Sequence, residues 1–271
     1  GDEVIVFEPV YDSYVPAIET VGGKAVYAQL QFPDYAPDWA QVARLITPRT
    51  RMIIVNSPHN PTGSLLTAVD LEKLAELVRG TDVVVLSDEV YEHILFDGER
   101  HASLCAHPEL APRSIVVSSF GKTYHITGWK IGYLVGPAAL MAEFRKVHQF
   151  NVFTVHTPSQ LALADYMQDA ARHLGLAAFY EEKRDFFRNL MAATPFELLP
   201  CRGTYFQLAS YKAISDQPDR AFAEWMTREV GVAVIPVSVF YADGRDDRVV
   251  RFCFAKKEET LVAAGERLRR L

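Results

Sequence analysis

The sequence predicts an α/β fold: a doubly wound, mostly parallel sheet in a large domain, followed by a smaller α+β domain. Two observations carry this reading. Near-continuous apolar runs such as Met52-Ile53-Ile54-Val55 and Val83-Val84-Val85-Leu86 read as strands buried on both faces. These runs alternate with amphipathic helical stretches until Pro137, after which the pattern turns helical and then mixed.

The elements follow in order. Residues 4–7 read as a strand that Glu8-Pro9 ends. Asp12 or Ser13 is placed to cap a helix to about Val21, which Gly22-Gly23 stops. Pro16 falls near the first turn, where it is tolerated. Residues 24–30 form the next strand and residues 33–37 a loop, and Asp38 caps a helix through Ile46. Residues 51–56 are a strand, and Ser57-Pro58-His59-Asn60-Pro61-Thr62-Gly63 after it is dense in turn formers. Thr67 and Asp70 make a capping-box pattern ahead of the stripe Leu71, Leu74, Leu77 and Val78, and Gly80 ends that helix.

Residues 83–88 are a strand and residues 91–96 a short extension. Residues 114–118 are another strand, and a loop then carries Gly121, suited to a tight turn, beside Lys122. The strand at residues 130–135 comes too soon for a helical crossover, so antiparallel pairing is expected. Helices are expected at residues 137–150, 158–170 and 174–193. Short strands at 196–199, 204–209, 233–235 and 249–254 follow, with helices at 219–230 and 257–271 among them. The pattern divides the chain into residues 1–173 and 174–271, with a hinge along the helices before residue 174.

Composition narrows the function. With 49% hydrophobic and 23% charged residues, the chain can bury a large core. A net charge of -6 supplies no basic patch and argues against a nucleic-acid partner. Cys105, Cys201 and Cys253 stand far apart, with neither metal-type spacing nor a disulfide framework, which points to a reducing cytoplasm and no metal. No run reaches the length of a membrane span.

Three successive strands of the first domain end in usable chemistry. One ends at Asn56 and leads to Asn60; one ends at Asp88, with Tyr91 just beyond; one ends at Ser118-Ser119 and leads to Lys122. If the strands are parallel, these groups share the sheet edge where such folds bind ligands. A desolvated lysine there is a nucleophile for carbonyl groups. Each residue also has an ordinary reading. Asn60 can shape a turn, Asp88 can cap the next segment, and Tyr91 can simply pack. Arg251 can be an edge-strand arginine facing water. The ordinary readings do not explain why so many fall at matching strand ends.

The ordered set of motifs resembles the fold-type I, class I and II pyridoxal-phosphate aminotransferases. It comprises Asn60-Pro61-Thr62-Gly63, Ser87-Asp88-Glu89-Val90-Tyr91, Ser118-Ser119-Phe120-Gly121-Lys122-Thr123 and Gly128-Trp129-Lys130-Ile131-Gly132. The resemblance covers essentially the whole chain. Ser57-Pro58-His59-Asn60 and Lys122-Thr123-Tyr124 are most similar to the branch of methionine, kynurenine and glutamine aminotransferases. It implies the aspartate aminotransferase-like fold and pyridoxal 5'-phosphate as cofactor, with an amino acid and a 2-oxo acid as substrates.

The resemblance also implies roles. Lys122 would hold the cofactor through its amine and then shuttle a proton. Asp88 would keep the pyridine nitrogen protonated, Tyr91 and Asn60 would hydrogen-bond the ring oxygen, and Tyr11 would stack on the ring. Ser119 and Lys130 would bind the phosphate, where many relatives use arginine, and Lys130 gives up the bidentate fork. Arg251 would grip the substrate carboxylate, helped by Asn60.

The family has an arm, a pocket segment and a phosphate loop upstream of the position matching Gly1, so the chain is expected to be part of a longer enzyme that works as a homodimer. The expected activity is transfer of an amino group from methionine or a related apolar or aromatic amino acid to a 2-oxo acid. Two rivals stand beside it: a carbon–sulfur β-lyase acting on cysteine conjugates, and a non-catalytic aminotransferase-like module of a regulator.

Overall fold

The computed structural model describes residues 1–271. In chain order, the first half consists of Glu3–Glu8 (β1), Tyr14–Thr20 (α1), Lys24–Gln31 (β2), Ala36–Pro37 (β3), Trp39–Leu45 (α2), Thr50–Asn56 (β4), Ala68–Val78 (α3), Val84–Asp88 (β5), Ser114–Ser119 (β6), Phe120–Thr123 (α4) and Gly132–Val135 (β7). These strands form one sheet in the order β3-β2-β1-β4-β5-β6-β7. The five inner strands are parallel, and the two edges pair antiparallel. The antiparallel pairing expected beyond the lysine is therefore present.

The second half consists of Ala138–Asn151 (α5), Thr157–Tyr166 (α6), Ala171–Leu174 (α7), Leu176–Met191 (α8), Glu197–Leu198 (β8), Phe206–Ser210 (β9), Asp219–Trp225 (α9), Ile235–Pro236 (β10), Val249–Cys253 (β11) and Glu258–Leu268 (α10). A four-stranded antiparallel sheet runs β10-β11-β9-β8.

Local chemistry explains several boundaries. Thr67 accepts from the Asp70 N–H, and Asp70 accepts from the Thr67 N–H at 2.7 Å, so the capping box starts α3 as its sequence pattern predicts. Asp38 caps α2 by accepting from Gln41 N–H at 3.0 Å. Ser13 stands at the start of α1 without a side-chain cap.

Some expectations are corrected. Residues 33–37 are not wholly loop, because Ala36–Pro37 pairs with the edge of β2. Residues 91–96 form no strand; they turn, and only Leu95 bridges to Gly203. The helix from Asp219 changes at Met226 into a π-helical turn that Gly231 ends at φ 71°.

The cores tie the sheets together. One cluster joins Ile5, Val55, Leu74 and Val85 to Leu208, Val237, Phe240 and Val249. The other joins Tyr91, Ile94 and Phe96 to Phe187, Phe222, Phe252 and Phe254. Both clusters thus combine residues of the large sheet, or of the turn after β5, with residues of the small sheet.

Candidate active site

The carboxyl ends of β1, β4, β5 and β6 converge. Asn56 and Asp88 are register partners, and Asp88 is also opposite Val117. Strand order diverges at β1, which has β2 on one side and β4 on the other. Open α/β sheets bind ligands outside the strand ends at such a point. A cleft of about 400 Å³ opens there. Its walls include Tyr11, Asn60, Asp88, Tyr91, Ser119, Lys122 and Lys130, with Asn56 among them. A larger hollow of about 780 Å³ lies against Val4, Ile18, Met52 and Leu86, but it contains no comparable set of reactive groups.

Asn56 is the hinge pin of the first wall. Its Nδ2 donates to the Asp88 carbonyl at 2.9 Å, and its Oδ1 accepts from Asn60 N–H at 2.8 Å. The strand end thereby fixes the turn that carries Asn60. His59 accepts from Gly63 N–H through its carbonyl at 2.8 Å and contacts Thr62 Oγ1 through Nδ1 at 2.8 Å. Burial pushes His59 down to about 3, so its ring is neutral and acts as internal packing of the turn.

Asp88 is anchored at both oxygens. Tyr14 O–H donates to Oδ2 at 2.6 Å, and Val90 N–H donates to Oδ1 at 3.1 Å. The capping reading of Asp88 is therefore correct as far as it goes, and the same carboxylate still lines the cleft. Burial raises its carboxyl above the ordinary value, against the opposing pull of Tyr14, Val90 and Lys122. A cationic nitrogen placed beside it would offset that burial.

Lys122 lies in α4, not in a loop. Ser119 caps that single turn, its Oγ accepting from Gly121 N–H at 3.0 Å. Gly121 serves close approach rather than a tight turn, because a Cβ there would meet the Thr127 Cα at 2.9 Å. The Lys122 Nζ stands 5.9 Å from the Tyr91 ring centre and 5.7 Å from that of Tyr205. Tyr91 is only 2% exposed, and its hydroxyl contacts Tyr205 at 3.4 Å. Burial raises the Tyr91 phenol well above its ordinary value, so it is a donor. Lys130 precedes β7 rather than belonging to it, with a left-handed φ of 56°.

Arg251 comes from the small sheet. It is on β11, an internal strand, so the edge-strand reading is excluded. Its Nη1 donates to Asn60 Oδ1 at 2.6 Å. Its guanidinium lies 4.0 Å from the Phe206 ring centre and 5.3 Å from that of Phe240. Desolvation lowers its value below that of an ordinary arginine, and the half-buried cation favours an anionic partner.

The structure brings together every residue singled out from the sequence: Tyr11, Asn60, Asp88, Tyr91, Ser119, Lys122 and Lys130 line the cleft, and Arg251 adjoins it through Asn60. Sequence reasoning missed Tyr14, Tyr205, Phe206 and Phe240. Their proximity is tertiary, and no strand-end or turn signal marks them. Tyr14 stands close to Tyr11 in the chain, but nothing in that spacing reveals its bond to Asp88.

The comparisons with known proteins agree over the whole chain. The family model "Aminotransferase class I and II" matches residues 1–268. Methionine aminotransferase of Escherichia coli is 52% identical, over 100% of this chain and 70% of that protein. Kynurenine–oxoglutarate transaminase 1 of Rattus norvegicus is 35% identical, over 100% of this chain and 72% of that protein. A crystal structure reporting a methionine aminotransferase function in Escherichia coli superposes with a TM-score of 0.98 at 51% identity, covering 100% of this chain and 72% of that one.

Proposed function

The chain belongs to the class I and II aminotransferase family and is an aminotransferase, and from that premise we propose that it uses pyridoxal 5'-phosphate to move an amino group from methionine, or a related apolar or aromatic amino acid such as kynurenine, to a 2-oxo acid. The observation that carries the reading is the meeting of Lys122, Asp88 and Asn60 at one sheet edge with Arg251 bonded to Asn60. The 52% identity to a methionine aminotransferase supports the choice of donor.

The donor set fits the cofactor. An amine, a half-buried carboxylate, a phenol and an amide suit the functional groups of a pyridine aldehyde, and Ser119 and Lys130 suit a phosphate. When bound, the cofactor supplies an electron sink for the electron pair left by proton removal from the amino acid. Lys122 would hold the cofactor through Nζ and would move the proton from the substrate carbon. Asp88 would hold a proton on the ring nitrogen through its charge. Tyr91 and Asn60 would orient the ring by hydrogen bonds, and Tyr11 would cover one face. Arg251 holds the substrate carboxylate, with Asn60 already in place beside it.

Borohydride reduction of the loaded protein, followed by peptide mass analysis, tests the assignment. Pyridoxyl mass is expected on the Lys122 peptide; label on Lys130 or Lys146 instead would sink it. Methionine-dependent oxo-acid formation is expected to require an acceptor. Acceptor-independent pyruvate release from cysteine conjugates would make the protein a β-lyase.

The reading extends to a homodimer in the cytoplasm, with residues 1–173 as the cofactor domain and 174–271 as the small domain. Exposed Phe150, Phe153 and Leu161 on and between α5 and α6 support a partner surface. The free cysteines Cys105, Cys201 and Cys253 support a reducing compartment. No helix is long and apolar enough to cross a membrane. Sedimentation of the protein at micromolar concentration tests the dimer, and a monomer there would remove it.

A further inference from the structure

Asp88 meets the molecule on two sides. Its cleft side is the one assigned above. On the other, Tyr14 at the start of α1 reaches across to Asp88 Oδ2 at 2.6 Å. Tyr14 does not line the cleft; its ring borders the apolar hollow on the sheet face and stands edge-on to Tyr11 at 5.4 Å. It is thus a wall between the hollow and the cleft, with its one polar atom aimed at the carboxylate.

We propose that Tyr14 is a positioning residue, whose hydroxyl fixes the Asp88 side chain at the cleft wall and holds it as a carboxylate. Its bearing on the reaction rests on Asp88 being the partner of the ring nitrogen.

The geometry requires such a device. Asp88 is half-buried at the end of a strand whose body is core, and taking a carboxylate out of water favours its neutral form. A neutral carboxylic acid cannot hold a proton on a neighbouring nitrogen by charge. Three contacts act in the other direction: the Tyr14 O–H from α1, the Val90 N–H and the charge of Lys122 from α4. Glu89, the next residue, acts with burial. Among the opposing contacts, the Tyr14 bond is the shortest and comes from a different crossover of the sheet. The phenol is a dependable donor, since desolvation and the charge of Asp88, with Tyr11 and Tyr91 adding to them, push it well above its ordinary value. With Tyr14 at Oδ2 and Val90 at Oδ1, rotation of the carboxylate is blocked, and each oxygen retains a second lone pair.

The sign of the effect follows. Burial has already raised the Asp88 carboxyl, and the Tyr14 hydrogen bond opposes the rise. Removing the bond raises it further, so the carboxylate form retreats to higher pH.

The test uses the cofactor-free protein. The Asp88 carboxyl carbon is titrated by NMR and assigned by its loss in Asp88→Asn. Tyr14→Phe keeps the ring packing and removes the donor, and the Asp88 midpoint is expected to rise by roughly one pH unit. Tyr11→Phe, which leaves the Tyr14 bond in place, is expected to give no shift. Affinity for pyridoxamine 5'-phosphate, which has no aldehyde for Lys122 to attack, is measured over the same range. In Tyr14→Phe its acid limb is expected to move up with the Asp88 midpoint, while the plateau stays unchanged. An Asp88 titration that does not move overturns the proposal, whatever the affinity does, and a pH-independent loss of affinity would then reduce Tyr14 to packing. A shifted titration in a protein that never binds pyridoxamine 5'-phosphate would sustain the hold of Tyr14 on Asp88 and remove the cofactor reading instead.

Discussion

The two sheets contribute to the site in opposite ways. The seven-stranded sheet supplies Asn60, Asp88, Tyr91, Ser119 and Lys122 from its strand ends and the turns and short helix that follow them. The four-stranded sheet supplies one charged group, Arg251, from the middle of a strand. Parallel strands all finish at the same edge, so residues far apart in the chain meet there without needing long side chains. An antiparallel sheet has no such common edge. Its functional residue must project from a face, and Arg251 does so between the rings of Phe206 and Phe240. Reactive side chains therefore gather at the edge of the first sheet, and the second adds the cation proposed as the substrate grip, whose direction its packing sets.

That contrast makes separable predictions. The largest effect is expected at the edge. Lys122→Ala should lower turnover about 10⁴-fold, the upper range for a lost proton-transfer group, while substrate still binds. Single-turnover kinetics with methionine checks it, and near-normal turnover would move the chemistry off this edge. The grip should fail differently. Arg251→Ala is expected to raise KM for every amino-acid substrate alike, at a cost of roughly 2–5 kcal/mol for a lost charged contact. Unchanged KM in a folded protein would break the division of labour between the sheets.

Asp88→Asn is expected to retain cofactor and lose at least ~10²-fold in turnover, because an amide cannot hold the ring nitrogen protonated. An absorption spectrum beside the rate separates retention from loss.

The next residue sharpens the comparison within a single strand end. Glu89 is buried and turned away from the cleft, accepting from Ser87 O–H at 2.9 Å and Leu104 N–H at 3.1 Å, with His101 Nε2 at 2.7 Å. Burial works against its charge, yet His101, Ser103 and Leu104 outweigh burial and hold its carboxyl below the ordinary value. A depressed folded value gives stability that is present above the unfolded value and lost as pH falls through the folded one. Glu89→Gln is therefore expected to lower stability at neutral pH by about 1–3 kcal/mol and to flatten its acid dependence below roughly pH 5. Thermal unfolding at pH 7 and pH 4 reads both. The smallest effect is expected at Thr67→Ala, far from either contribution, which should cost about 1 kcal/mol through the lost cap and leave KM unchanged.

The sequence alone determined the five inner strands of the large sheet, because strands in the body of a parallel sheet are apolar almost throughout, and so they declare themselves without a partner. It also determined which groups stand at their ends, since a strand's last residue and the following turn are local facts. Asn60, Asp88 and Lys122 were legible for that reason. Tertiary structure decided the rest. Ala36–Pro37 pairs only because the edge of β2 is there to receive it. Lys122 lies in a helical turn because Ser119 caps it, and Gly121 is needed because Thr127 returns against it, a contact that no local pattern records. Arg251 became a half-buried cation rather than a surface charge when β11 took an internal place and Phe206 and Phe240 came to flank it. Tyr14 gained its bond to Asp88 the same way, through a crossover that lays α1 beside the end of β5. A sequence fixes periodicity and end residues by local sterics and hydrophobicity, whereas hydrogen bonds across tens of residues exist only after the sheet has ordered its strands.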